Sequence, residues 1–263
     1  FREKEIALTA DVEAMFLQVK VPPADCKVFR FLWRENNTEP ISVYEYGRHI
    51  FGAKSSPICV NYALQQVGRD CRDENEMVAN LIDRNFYMDD FVKSVASEEE
   101  AVQMYKTLGK SLADRGFQLT KWICNSEKVM EEIPSEDRSV ALSKTFEAEP
   151  LAPSILGLQW NVESDSLEIC RGMGKVVPAK VTQRVVLSQV SSVFDPLGLF
   201  SPFTVRKRLL LKRIGKTHGQ SWDEELSTED EIAFKNWASE LSHMNEMAIK
   251  RKYLSKNAEI VDL

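Results

Sequence analysis

The run Asn85-Phe86-Tyr87-Met88-Asp89-Asp90-Phe91-Val92 constrains this chain more than any other segment. Aromatic and apolar residues on both sides of two adjacent acids read as the arms of a tight hairpin, with Met88, Asp89 and Asp90 where the chain reverses. Neighbouring carboxylates on a rigid turn repel each other and cost stability unless a cation or an open, solvated geometry relieves them. The pair therefore suits a divalent metal ion, and the plain alternative is a solvated acidic turn. The apolar flanks, which anchor the turn in a core strand pair, favour the metal.

A third carboxylate stands upstream. Ile6 to Ala10 is a short apolar run ending at Asp11, after which Met15, Phe16 and Val19 recur at helical spacing, so the expected order is strand, Asp, helix. An Asp before a helical pattern is commonly an N-cap, and that is one reading of Asp11. The other is that Asp11 ends a core strand beside the hairpin. Three Asp would then complete a site for two Mg²⁺, an ion that prefers few carboxylates together with waters and substrate phosphates.

Further elements are read from pattern. Lys27–Trp33 and Val43–Ile50 alternate around the turn-prone Asn36–Pro40, giving a second hairpin. Ser56 as N-cap and Pro57 in the first turn open an amphipathic helix through Val60, Ala63, Leu64 and Val67. Residues 98–116 form a helix that is acidic at its start and stopped by Gly116. A loop is expected over 134–153, and a third hairpin joins Ile155–Trp160 to Ser166–Ile169 across Glu163-Ser164-Asp165. After Pro178 the chain reads as mostly helical, broken at Asp195-Pro196, Gly198 and Ser201-Pro202. The fold class expected is α+β, with a helical region after it.

Composition excludes several classes. At 263 residues, 43% hydrophobic and 28% charged, with 11 Gly and 10 Pro, the chain is an ordinary globular sequence with room for one large domain or two small ones. No run approaches 18 apolar residues, so no membrane span is expected. Five separated cysteines without a CxxC pair point to reduced thiols in an intracellular protein, and with three histidines they give no zinc pattern. The net charge of −6 does not favour nucleic acid, yet it conceals a basic stripe. Arg206, Lys207, Arg208, Lys212, Arg213 and Lys216 lie close together without an acid, interleaved with Leu209, Leu210 and Leu211. On a helix the leucines can pack inward while the cations meet phosphates. A solvated face, or pairing with the acidic block from Asp223 to Glu231, is the alternative.

Four segments fall in an order and spacing that resemble reverse transcriptase motifs A, B, C and E: Ala10–Val19, Phe51–Pro57, Tyr87-Met88-Asp89-Asp90 and Leu156-Gly157-Leu158. Leu187–Pro202 and Arg48–Pro57 resemble the corresponding regions of BEL/Pao-type long-terminal-repeat retrotransposons. The resemblance covers residues 1 to about 215. It implies a polymerase palm, an antiparallel sheet with helices, over 1–19 and 51–154, with a partial fingers hairpin over 20–50. It also implies a primer-grip hairpin over 155–170, and over 171–263 a mostly helical thumb with the start of a further helical region. Both ends read as cut from something longer, with most of the fingers before Phe1 and with RNase H, like protease and integrase, beyond the chain.

The resemblance implies that Asp11 and Asp89 hold two Mg²⁺, or Mn²⁺, with Asp90 close by and Val12 in the same metal-binding set. Phe16 falls at the sugar-discriminating position, where a flat ring collides with a ribose 2′-hydroxyl; its alternative is an ordinary core residue. Phe51, which stands where retroviral enzymes have Gln, joins Gly52, Lys54, Tyr87 and Lys121 as nucleotide-binding, Lys121 resembling the motif D lysine. Leu156, Gly157 and Leu158 form the primer grip, and Arg206, Lys207, Arg208, Lys212 and Arg213 meet phosphates. The implied partners are an RNA or DNA template–primer duplex, deoxynucleoside triphosphates and the rest of a polyprotein, in cytoplasmic virus-like particles with a nuclear phase. A catalytically inactive nucleic-acid-binding remnant is the rival; a phosphohydrolase, lacking His or Lys at matching spacing, ranks last.

Overall fold

A computed structural model of the chain describes residues 1–139, 154–168, 178–193, 195, 197–198, 201–217, 222–244 and 248–253. Most of the expected 134–153 loop, the hairpin end at Ile169 and the break at Pro196 lie outside them. The chain divides into two compact units, Phe1–Leu151 with Lys252–Leu263, and Ala152–Arg251.

The first unit runs β1 (Ile6–Val12), α1 (Met15–Gln18), β2 (Arg30–Trp33), β3 (Ser42–Glu45), α2 (Ser56–Cys71), α3 (Glu76–Asn85), β4 (Phe86–Tyr87), β5 (Asp90–Val95), α4 (Glu98–Ala113), β6 (Leu119–Cys124) and α5 (Glu127–Glu132). Strands β4, β5, β1 and β6 form one antiparallel sheet in that order, so β1 is central. Its Leu8, Ala10 and Val12 pack with Phe91 and Val95 of β5, Trp122 of β6 and the apolar stripes of α2, α3 and α4. Burial of those stripes, rather than helix propensity, holds these helices in place.

The helix starts are written in short polar side chains. Asn75 accepts from the Val78 amide, Ser97 from Glu100 and Ser126 from Val129, each satisfying an orphan donor of the first turn. Helix α2 begins one residue earlier than expected. Ser55 is its cap position and makes no side-chain cap bond, while Ser56 is buried inside the helix. The N-cap reading of Asp11 fails: Asp11 is in β1, and Ala14, in the left-handed region at φ 45°, precedes the four-residue α1. The 98–116 helix ends at Ala113, and Gly116, at φ 86°, turns the chain toward β6. Strands β2 and β3 pair as an exposed hairpin shorter than the alternation suggests.

The second unit runs β7 (Ser154–Ile155), β8 (Leu158–Asn161), β9 (Ser166–Glu168), α6 (Gln183–Ser192), α7 (Ser201–Thr217), α8 (Thr228–Met244) and β10 (Ala248–Lys250). Its helices pack around Val186, Ile214, Phe234 and Trp237. Strand β10 returns to pair with β9, making a four-stranded antiparallel sheet from the β7–β8–β9 meander and a distant segment. Arg251, fully buried, clamps that return with paired bonds of 2.7 and 2.8 Å to the Asp165 carboxylate. The same carboxylate accepts from the indole of buried Trp160 at 3.0 Å.

Candidate active site

Two strand ends and one turn bring the acidic residues together. Asp11, next to last in β1, is the register partner of Asp90, the first residue of β5. Tyr87 pairs with Asp90, leaving Met88 and Asp89 as a two-residue hairpin loop. Met88 adopts φ 56°, a left-handed conformation that costs a non-glycine residue energy and that recurs at functional turns. The Val12 amide donates to the Asp89 carbonyl at 2.9 Å, and Asn85 Nδ2 donates to the Val92 carbonyl at 3.2 Å, so the turn is tied to β1 and closed at its base.

This crowding sets the electrostatics. Burial pushes the Asp90 carboxyl up to about 6, reinforced by Asp89 and Asp11. Asp11 is likewise raised by burial and by Asp89 and Glu13, against the opposing pull of Lys121. Lys121 Nζ lies 3.2 Å from Asp11 Oδ1. Between the pairs Thr9–Ile123 and Asp11–Thr120, β6 contains one residue more than β1, a bulge in which Lys121 stands at φ 54°.

Among the described residues, no group of three or more His, Cys, Asp or Glu side chains is drawn together closely enough to hold a metal ion on its own. The donor set nevertheless fits a hard divalent cation. Asp11 and Asp90 oppose each other without charge relief from their own strands, and Asp89 lies on the turn beside them. Val12 is placed in this cluster through its backbone, its side chain being in the core.

The expected nucleotide-binding residues separate into two groups. Phe16 is only 7% exposed and meets Phe51, which is 74% exposed, with ring centroids 4.4 Å apart. Gly52 is next, at φ 86° with open space where a Cβ would stand, so backbone conformation rather than crowding calls for glycine. Lys54 and Tyr87 are exposed. His49 and Ser56, for which the motifs imply no nucleotide contact, hold this loop. The His49 amide donates to the Val19 carbonyl, and its Nδ1 is 3.2 Å from Ser56 Oγ, joining the start of α2 to the chain leaving α1.

In the second unit, Leu156 and Gly157 form the loop between β7 and β8, both with positive φ, 48° and 83°. That is the turn whose twist matches a tight hairpin, and here it exposes Leu156 while Leu158 is buried. The basic stripe of α7 splits across its helix. Arg206 pairs with Glu240 at 2.6 Å, and Arg213 with Glu229 at 3.2 Å and Asp230 at 2.5 Å. Lys207 is a correction: it is 2% exposed, donates to the Val190 carbonyl at 2.7 Å and lies over the Trp237 ring, so it faces the core rather than a phosphate. Arg208, Lys212 and Lys216 remain on an exposed face, recurring every four residues.

Two segments of the chain match known families, and its fold matches a solved structure. Residues 2–128 match the family described as reverse transcriptase (RNA-dependent DNA polymerase). Residues 182–263 match the Pao retrotransposon-like RNaseH-like domain. At the level of family, then, the expectation that all RNase H-like sequence lies beyond the chain does not hold; the described residues there form α6, α7, α8 and β10. No curated protein matches the chain. A foamy viral protease-reverse transcriptase, solved in complex with an RNA/DNA hybrid, shares the fold at a TM-score of 0.56 and 12% identity. The match covers 92% of this chain and 28% of that one, so the chain spans little more than a quarter of the relative's length. The acidic hairpin and the sheet that carries it lie within the stretch that matches the reverse transcriptase family, and the stretch downstream matches the Pao retrotransposon-like RNaseH-like domain.

Proposed function

We propose that the chain is the palm of an RNA-directed DNA polymerase together with the segment downstream of it, and that it joins deoxynucleotides to a primer 3′-hydroxyl by two-metal chemistry. The observation that carries this is the cross-strand pair Asp11–Asp90 with Asp89 on the adjoining turn, inside the segment that matches the reverse transcriptase family. Asp11 and Asp89 are the residues that would hold two Mg²⁺ or Mn²⁺, with Asp90 beside them. Such ions, when bound, acidify the primer hydroxyl and neutralise charge on the departing pyrophosphate.

The chain's own residues orient the reactants. Phe16 and Phe51 form an aromatic wall suited to a deoxyribose, and the Gly52 turn lets backbone approach a nucleotide. The Leu156–Leu158 turn serves the primer end. Arg208 and Lys212 grip phosphates without reading sequence, as an RNA or DNA duplex partner requires. In this reading residues 20–50 belong to the fingers, and the protein works within a polyprotein in cytoplasmic particles with a nuclear phase.

The test is Asp89→Asn in the full-length polymerase. Mg²⁺-dependent primer extension is expected to be lost, while template–primer binding, which rests on phosphate contacts elsewhere, stays largely intact. Undiminished extension would overturn the assignment.

A further inference from the structure

The bulge in β6 interrupts the register of its ladder with β1. It adds one residue between Thr120 and Ile123 and places Lys121, a residue with a Cβ, in the left-handed region at φ 54°. Bulges of this kind re-aim a side chain beside a functional site, and strain of this kind persists only where the surroundings impose it. Here the imposing neighbour is Trp122. Its fully buried ring packs edge-on against Phe91 at 5.8 Å and Tyr105 at 5.2 Å, which fixes β6 on the core side and turns the preceding residue outward. The result is an ammonium 3.2 Å from Asp11 Oδ1, on a side chain that is itself 64% exposed. Its positive charge acts on Asp90 as well as on Asp11.

We propose that Lys121 is a built-in counter-ion that holds Asp11 in place in the absence of metal and gives way when a divalent cation binds. The proposal rests on the reading of Asp11, Asp89 and Asp90 as the metal-binding set. Three features suit Lys121 to the part. An ammonium is a compact point charge with no acceptor, so it can occupy cation space among carboxylates without adding repulsion. An exposed ion pair is weak, so a doubly charged ion displaces it readily. The bulge gives the lysine a fixed base from which its flexible stem can swing clear. Lys121 is thus a positioning residue for Asp11 and a competitor for the metal, and it sets the concentration at which the cation enters.

The test is Mn²⁺ titration of this same chain, monitored by the paramagnetic signal of free Mn²⁺, with thermal melting in chelator alongside. Removing the competitor in Lys121→Met is expected to tighten Mn²⁺ binding about two- to fivefold, the range set by the strength of an exposed pair. It is also expected to lower the melting temperature in chelator and to enlarge the rise produced by Mn²⁺. Lys121→Gly, which relieves the left-handed strain while removing the ammonium, must show the same tighter binding, and Lys121→Arg must bind as the unaltered chain does. Lys93→Met, on β5, is the control for net charge and is expected to leave the affinity unchanged. Equal affinities in the unaltered chain, Lys121→Met and Lys121→Gly would overturn the proposal, as would an equal gain in Lys93→Met. Asp11→Asn separates the two levels: if it binds Mn²⁺ undiminished, the metal-site reading falls and the proposal with it. If it loses affinity while the Lys121 variants do not differ, only the proposal falls.

Discussion

Asp11 and Asp90 face each other across adjacent antiparallel strands, so two acids share the end of one ladder. Like charges directly opposite one another destabilise a sheet, and burial has already lifted Asp90 from 3.8 to about 6. The folded chain therefore holds this proton more tightly than the unfolded chain does. Without metal, stability falls as pH rises from about 4 to about 6, and above that Asp90 opposes folding. Asp90→Asn is expected to melt at a higher temperature than the unaltered chain at neutral pH, with the gain vanishing near pH 4. Melting curves in chelator across that range check it; a pH-independent difference would contradict the coupling.

Phe16 and Phe51 touch but differ in burial, which separates their roles. Phe16→Val removes buried ring volume and is expected to cost on the order of 1–3 kcal/mol. In the full-length polymerase it should also raise ribonucleotide incorporation relative to deoxyribonucleotide. Phe51→Ala, at an exposed position, is expected to leave the melting temperature nearly unchanged. Measuring the two nucleotide efficiencies together with melting decides the matter: a destabilised Phe16→Val with unaltered sugar discrimination leaves Phe16 a core residue.

Arg251→Met strips the buried partner from Asp165 while keeping much of the side chain's bulk. Breaking such a pair costs roughly 3 kcal/mol, because the remaining carboxylate is left uncompensated. Denaturant unfolding monitored by tryptophan fluorescence is the readout, since Trp160 donates to the same carboxylate. A variant as stable as the unaltered chain would show that the clamp contributes nothing net.

The split of the α7 stripe predicts two kinds of variant. Arg208→Gln and Lys212→Gln should each weaken duplex binding across all sequences and lower the salt slope by about 1. Lys207→Met should instead cost stability, because its ammonium serves the Val190 carbonyl and the Trp237 ring. Titrations at several salt concentrations, paired with melting curves, distinguish them. Equal loss of affinity from all three would return Lys207 to the phosphate-facing side.

The apolar strand reaching Asp11 and the tight hairpin between aromatic arms were legible because each is local, but Asp90, expected in the turn, is the first residue of β5. What pattern alone missed depends on partners distant in sequence. Helix α3 has a clear cap in Asn75, but its short stripe of Val78, Leu81 and Ile82 is decisive only once it faces the sheet. Strand β6 breaks its alternation at the bulge, so Lys121 and Trp122 do not read as part of one ladder. The stripe of α7 could not be divided in advance, since which cations are spent depends on where Glu229, Asp230 and Glu240 land on α8. Ser55 and Ser56 are equally good caps by residue type, and the choice is made by His49, which engages the second.

The return of β10 to β9 has a consequence for the order in which this unit can form. The edge strand β10 is delivered after the described helices α6, α7 and α8 have been synthesised, so the three-stranded meander at Ser154–Glu168 remains one strand short until the chain has grown past Lys250. A single cut between β9 and β10 would leave those two strands connected by the ladder and by Arg251 on Asp165. The unit Ala152–Arg251 therefore closes on itself, with its first and last described strands as the two edges of one sheet.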